Sequence, residues 1–232
     1  MSEQAKHKAA MKFDVINRST GAVQFTAEID CDDDASRSIK LGLAVRWAVK
    51  SGASLEGADL EGADLYGARL EGANFRWASL ARASLAWASL EGASLAWARL
   101  EGADFYRADL YRANLEGANF RGARLEGARL AGAGLAWADL YRANLEGANF
   151  RGASGVNDYV KCVQIDTYPI TYTADVIQIG CKRHTHQEWA DFTDDQIRQM
   201  DGVKAVEWWA KYKAWLLEII EICPAKPTGA TP

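Results

Sequence analysis

Little in this chain invites reading by catalytic motif. Of its 232 residues only 4 are proline and 3 are histidine, and its 4 cysteines stand far apart at Cys31, Cys162, Cys181 and Cys223. So sparse a set builds no disulfide framework and reads as reduced thiols. The net charge is only -4, so no strong overall field draws the chain to nucleic acid or to an anionic membrane surface. No run approaches the roughly 20 consecutive apolar residues needed to cross a bilayer. The opening MSEQAKHKAAMKF lacks the apolar core of a secretory signal. A cytoplasmic chain without membrane association is the expectation. A phosphate loop, a dinucleotide fingerprint and a serine elbow are also missing, so the expectation is a protein that is not an enzyme and has no cofactor.

What is present is a period. From Ala53 to Ala153 every fifth residue is alanine, and two residues after each, from Leu55 to Phe150, stands leucine or one of Phe75, Phe105, Phe120 and Phe150. This segment contains no proline, lysine or cysteine, unlike its flanks. A step of five on a helix of about 3.6 residues per turn would scatter these side chains over all sides. A flat strand, with its period of two, fails as well. The unit Ala-x-Leu/Phe-x-x is therefore a unit of construction, as fixed short periods usually are.

The pattern resembles the pentapeptide-repeat family, whose motif A(D/N)LxG stands here as ADLEG at 58–62 and as ANLEG at 113–117 and 143–147. The resemblance implies a mainly β fold, a right-handed quadrilateral parallel β-helix of about five coils. Four pentapeptides make one square coil, with Ala and Leu/Phe inward and the other three positions outward. Coils stacked at about 4.8 Å would make a rod about 24 Å long. Every Leu/Phe position should be buried. The four Phe fall on four different walls, which would keep their rings from crowding one layer. The sixteen residues ADLYRANLEGANFRGA occur at 108–123 and again at 138–153. A shift of thirty is one and a half coils, so the copies face opposite walls and mark duplicated building units, not twin binding sites.

Residues twenty apart should stack on one wall. Glu56/Arg76, Glu101/Arg121, Asp104/Arg124 and Asp109/Arg129 are opposite charges at this spacing, while Glu71/Glu91 and Glu126/Glu146 are like charges. Exposed pairs of this kind contribute about 0–1 kcal/mol each.

A solenoid needs covered ends. The expected plan is a flexible tail at 1–12, a hairpin-plus-helix cap at 13–50, the β-helix at 51–154, an α+β unit at 155–223 and a flexible tail at 224–232. In the cap, Phe13 to Arg18 and Ala22 to Ile29 read as strands around Ser19-Thr20-Gly21. Asp32-Asp33-Asp34 then supplies an aspartate cap for a helix through about Lys50. Ile39, Leu43 and Trp47, together with Leu41, Ala44, Val45 and Ala48, give that helix a broad apolar face for the first coil. In the C-terminal unit, Tyr159 to Ile165 and Ile170 to Ile179 read as strands, and Val203 to Ile222 as a long helix. Its stripe of Trp208, Trp209, Tyr212, Trp215, Leu216, Ile219 and Ile220 packs on its own sheet or forms a dimer interface. Pro224 and Pro227 stop it. The flanks, with GAVQFTAEID, LGLAVRWA and IQIGCKRH, look similar to those of phage and prophage members of the family.

Three features are candidates for function. Trp77, Trp97 and Trp137 share one outward position in successive coils, interrupted by Gly117, with Trp87 on the opposite wall. Indoles one coil apart would be in contact. Contiguous apolar patches on a surface tend to mark contacts, made either by a flanking segment or by a partner. The tentative partner-binding residues are thus Trp77, Trp97 and Trp137, and the partner is an unidentified protein or a second copy of the chain. The second feature is Cys181, His184 and His186, with Cys162 near by. Sulfur and imidazole suit zinc, but structural sites show two compact ligand pairs, and no metal is expected here. Cys181 with His184 as a nucleophile lacks a third, orienting group. The third is a rod shape, which in some family members mimics DNA and binds type II topoisomerases such as gyrase. Residues 53–154 hold 13 acids against 11 arginines, a net of 13 − 11 = 2 negative charges. About 24 Å of duplex would carry about 14. An interaction scaffold of the pentapeptide-repeat type, without enzymatic activity, is therefore the primary reading, with the gyrase-binding mimic and a metal-binding C-terminal domain as alternatives.

Overall fold

The computed structural model describes residues 10–155, 157–165 and 167–229. His7 and most of the expected N-terminal tail lie outside the described residues. The order is β1 (Met11–Ile16), β2 (Val23–Ile29), α1 (Arg37–Ser51), the repeat segment, then β3 (Lys161–Ile165), β4 (Tyr168–Tyr172), β5 (Val176–Ile179), β6 (Lys182–Thr185), α2 (His186–Asp191) and α3 (Asp194–Ile222).

The repeat segment winds back on itself every twenty residues. Parallel bridges join Asp59 to Ser79, Asp64 to Ser84, and so on to Gly134 and Ser154. Local chemistry sets up each corner. In Ala-Asp-Leu-Glu-Gly at 58–62, Leu60 N–H donates to the Ser79 carbonyl and Gly62 N–H to that of Ala81, while Ala63 N–H closes the turn on Leu60. Nearly every backbone donor thus has a partner, as burial demands. The preference for Asp or Asn after Ala has its own cause. The side chain accepts from the backbone N–H two residues on, as Asp104 does from Tyr106 at 2.9 Å and Asn149 from Arg151 at 3.0 Å. This is an Asx-turn, which only a short polar side chain can close.

Alanine and Leu/Phe fill the interior. All Leu/Phe positions from Leu55 to Phe150 are buried except Leu145, which is half-buried against the core. Leu145 lies in the last turn of the winding, with no further coil above it. The Phe spacing is a correction: Phe105 and Phe120 occupy different walls, yet their rings meet at 5.5 Å and 60°. Adjacent corners of so narrow a square lie within one ring of each other. Of the four stacked ion pairs, Asp104–Arg124 at 3.1 Å and Asp109–Arg129 at 2.6 Å form. Glu56 instead takes the Asn74 amide at 3.1 Å and Glu101 the Asn119 amide at 2.9 Å. Arg121 turns to Asp139 at 3.3 Å. Both glutamates stand at turn positions, where the side chain reaches diagonally to a residue eighteen on.

Both ends are covered. The antiparallel β1–β2 hairpin begins at Met11, two residues before the expected start. Its Ile16 carbonyl accepts from Asp59 N–H at 2.8 Å, and Arg18 N–H donates to the Gly57 carbonyl at 2.9 Å. Helix α1 is capped by Ser36, whose hydroxyl accepts from Ile39 N–H, and not by the acidic triplet. Its buried face is Leu41, Gly42, Ala44, Val45 and Ala48, while Ile39 is exposed. Gly42 decides this orientation: a Cβ there would stand 2.0 Å from the Asp64 carbonyl oxygen, so only glycine lets the helix touch the coil. Trp47 instead stacks on Phe25 of β2 at 6.0 Å.

At the other end β3–β4–β5–β6 form one antiparallel sheet. The single strand expected over 170–179 is two, because Thr173 turns the chain: its hydroxyl accepts from Asp175 and Val176 N–H. The sheet meets the last turn of the winding through polar side chains. Gln178 accepts from Phe150 N–H at 3.1 Å, Thr171 donates to the Phe150 carbonyl at 3.0 Å, and Arg183 donates to that of Ala148 at 3.1 Å. On the sheet's other side lie α2 and α3, with Trp189, Trp208, Trp209, Leu216 and Ile220 buried in a second apolar cluster. Within α3 the helix expected from Val203 starts directly after a break at Asp201 and Gly202, where Gly202 has φ 73°, and a shorter helical stretch from Asp194 precedes that break. The stretch after it is a further correction. Ala225 is buried, Lys226 N–H donates to the Asp158 carbonyl at 2.7 Å, and the Thr228 carbonyl accepts from Arg142 N–H. Residues 224–229 are thereby tied to the end of the rod.

Candidate interaction surface

The residue two after each Leu/Phe has positive φ throughout the array. Glycine occupies it twelve times, as that backbone favours. The eight exceptions are Trp77, Trp87, Trp97 and Trp137, and Arg82, Arg107, Arg112 and Arg142. A left-handed backbone costs a residue with a Cβ about 1–2 kcal/mol. Only two side-chain types, both large and suited to contact, are placed at that cost.

The structure brings Trp77 and Trp97 together and leaves Trp137 apart. The two indoles stack at 5.4 Å between ring centroids with 12° between planes. Trp97 in turn lies over Gly117, whose added Cβ would meet the ring at 2.4 Å. The interruption at Gly117 is therefore the seat of the Trp97 ring. Arg107 and Arg112 do the same over Gly127 and Gly132, with Cγ at 3.1 and 3.2 Å from the Cβ such a glycine lacks. At these three corners the large side chain leans one coil toward the C-terminus, and the glycine twenty residues on accommodates it. Period-twenty inspection of the sequence would have found these pairs.

No flanking segment covers the column among the described residues. Trp77 is 44% exposed, Trp97 39% and Trp137 74%. On another corner, Trp87 meets Tyr106 edge-on at 6.0 Å, with the Arg107 guanidinium 5.1 Å from the Trp87 ring. Such cation–π contacts stabilise exposed sites by about 0.5–1 kcal/mol and orient the rings.

The Cys/His residues are not gathered. His184 is wedged edge-on between Trp189 at 5.4 Å and Phe192 at 4.8 Å, and His186 Nε2 lies 3.0 Å from the Thr173 carbonyl at the start of α2. Cys181 is exposed, while Cys162 is half-buried, and burial pushes its thiol up to about 11. A thiol held protonated is a poor metal ligand and nucleophile. Among the described residues no group of three or more His, Cys, Asp or Glu could hold a metal ion. Likewise, no helix among them is long and apolar enough to cross a membrane.

The fold and this surface define a class: a capped solenoid whose outward positions present aromatic and cationic side chains. The family model for pentapeptide repeats matches residues 51–85, 78–117 and 118–154, in 8 copies, and this segment is a pentapeptide-repeat array. No curated protein matches the chain. Among solved structures, the chain is similar to Rfr23, a pentapeptide repeat protein of the cyanobacterium Cyanothece 51142. Identity is 34%, over 44% of this chain and 63% of that one, with a TM-score of 0.31. It is also similar to HetL of Nostoc sp. strain PCC 7120, a pentapeptide repeat protein involved in heterocyst differentiation regulation. There the identity is 33%, over 41% and 56% of the two chains, with a TM-score of 0.30. A third, QnrB1, a plasmid-mediated fluoroquinolone resistance protein, is 27% identical over 41% and 59%, with a TM-score of 0.30. The chain spans less than two thirds of the length of each.

Proposed function

We propose that this protein is a non-enzymatic interaction scaffold, a five-coil rod that presents Trp77, Trp97 and Trp137 to a protein partner. One observation carries the reading. At eight corners the array keeps tryptophan or arginine on a backbone that glycine would occupy without strain. Strain retained at a solvent-facing position points to use of the side chain there. The C-terminal unit, tied to the last coil, adds a second surface for specificity.

The DNA-mimic reading fares worse. Besides the near-balanced charge of the array, arginines neutralise its carboxylates in place, as Arg82 does Glu61 at 3.2 Å, Arg99 does Glu101 at 3.3 Å and Arg129 does Asp109 at 2.6 Å. A polyanion surface needs such carboxylates free. The test is affinity capture with the intact chain beside a variant carrying Trp77→Ser, Trp97→Ser and Trp137→Ser. Proteins retained by the first and lost by the second, while both remain folded, are the expected result. A variant that captures the same proteins with unchanged oligomeric state removes the tryptophan column from the function.

A further inference from the structure

The cover of the last coil leaves the rung at 143–147 open. Lower on that wall, successive rungs bond in a fixed register. Leu125 N–H donates to the Asn144 carbonyl at 2.8 Å, Gly127 N–H to that of Glu146 at 2.8 Å, and Asn144 N–H donates back to the Ala123 carbonyl at 2.9 Å. One coil on, the corresponding groups are Leu145 N–H, Gly147 N–H and the Ala143 carbonyl. Among the described residues none of these has a hydrogen-bond partner. The adjacent walls differ: Arg142 N–H donates to the Thr228 carbonyl, and Phe150 N–H to the Gln178 side chain at 3.1 Å. The interior shows the same gap, since Leu125 is wholly buried and Leu145 only half-buried.

A cavity of about 990 Å³, mouth included, stands on Asn144, Leu145 and Glu146. Its sides are the β4–β5 turn from Thr173 to Val176, Arg183 of β6, and Tyr159 and Lys226. Ligand clefts commonly have volumes of about 300–1,000 Å³. Charge does not single out an ion here. Arg183 donates to the Ala148 carbonyl at 3.1 Å and faces the charges of Glu146 and Asp175, while Lys226 pairs with Asp158 at 2.8 Å. What is left unmatched is a pair of backbone donors, a backbone acceptor and an apolar side chain, set out as in every rung below. Another polypeptide backbone meets that set, because an open row of edge groups templates the addition of a further segment. We propose that this cavity takes a short segment of a partner polypeptide as the next rung of the wall. The register of the array fixes its form. An apolar side chain stacks on Leu145. The residue before it accepts from Leu145 N–H and donates to the Ala143 carbonyl, and the residue after it accepts from Gly147 N–H. A partner polypeptide accords with the scaffold reading, but the site rests on the open rung and the cavity above it.

The test is titration of the full-length, ¹⁵N-labelled protein with acetyl-Ala-Asn-Leu-Ala-Gly-amide, read at the backbone amide resonances. The Leu145 and Gly147 signals should shift downfield, saturate, and exchange with solvent about tenfold more slowly once the peptide is bound. Those of Leu125 and Gly127, already bonded, should stay. The same peptide methylated on its Asn backbone nitrogen lacks the donor for the Ala143 carbonyl and should bind about tenfold more weakly. Ala174→Trp, on the half-exposed β4–β5 turn, should fill the cavity and abolish the response. Should that variant lose its fold, Lys226→Trp fills the cavity from another side. Absence of saturable shifts at Leu145 and Gly147, or equal binding by the methylated peptide or to the filled variant, overturns the proposal. Shifts with inorganic phosphate but not with the peptide overturn the polypeptide occupant. Partner capture through Trp77, Trp97 and Trp137 is read on the opposite wall, so failure of either result leaves the other standing.

Discussion

Replacing Trp97 and Trp137 separately by glycine should have different effects, although sequence places them at equivalent positions. Trp97 is 39% exposed and Trp137 74%. A tryptophan offers roughly 150–250 Å² for burial, so Trp97 keeps about 90–150 Å² from water and Trp137 about 40–65 Å². At about 25 cal/mol per Å² these areas are worth about 2–4 and about 1–1.5 kcal/mol. Glycine relieves about 1–2 kcal/mol of left-handed backbone strain at both sites. It also adds about 0.5–1 kcal/mol of unfolded-chain entropy. Trp97→Gly further loses its stack on Trp77, about 0.5–1.5 kcal/mol. The sums predict a loss of about 3 kcal/mol for Trp97→Gly and, for Trp137→Gly, a change between a gain of about 0.5 and a loss of about 1.5 kcal/mol. Thermal unfolding followed by circular dichroism measures both, at about 2–4 °C per kcal/mol for a chain of this size. Equal losses at the two sites, or a Trp97→Gly protein as stable as the parent, would refute the argument that one indole serves the rod and the other is held for something else.

Leu100 is wholly buried on the axis of the rod, so Leu100→Asp should unfold the array by leaving a charge unpaired in an apolar core. Retained circular dichroism and melting temperature would contradict the fold. Alkaline stability should fall between about pH 10 and 12. The hydrogen bond to Asp201 raises the Tyr168 hydroxyl to about 12, and burial does the same for Tyr172, whose hydroxyl donates to the Cys223 carbonyl at 2.8 Å. Raised in the fold above their ordinary value near 10, both groups contribute stability that is complete below that value and lost as pH passes 12. Tyr168→Phe and Tyr172→Phe should each flatten this fall in a pH series of urea melts; unchanged slopes would count against it. Elemental analysis of protein purified without chelator should find zinc well below one equivalent, and stoichiometric zinc lost in His184→Ala would reverse that reading.

Sequence alone determined the period of five, because its constraint is local and repeated, and the family resemblance that this period carries implied the rod. A methyl every fifth residue and Leu or Phe two residues on leave no helix or flat strand that would bury the same set, while the Asx-turns closed where Asp or Asn stands between them came from the structure. Stacked charges were half legible: Asp104–Arg124 and Asp109–Arg129 meet as spacing implies, while Glu56 and Glu101, on turn residues, take diagonal amides. What only the tertiary structure decided lies where partners are distant in sequence. Gly42 turned α1 by admitting the Asp64 carbonyl, and Gln178 and Thr171 became the cover for Phe150. The stretch after Pro224 was tied down by Asp158 and Arg142. The tryptophan column divided for the same reason. Trp97 bends onto Gly117 because a left-handed corner aims its side chain at the next coil, and whether a ring or an empty place waits there depends on a residue twenty positions away. The unmet indole donors of Trp208 and Trp209 belong to this class too, since helical periodicity buries a tryptophan without saying whether its N–H will find an acceptor.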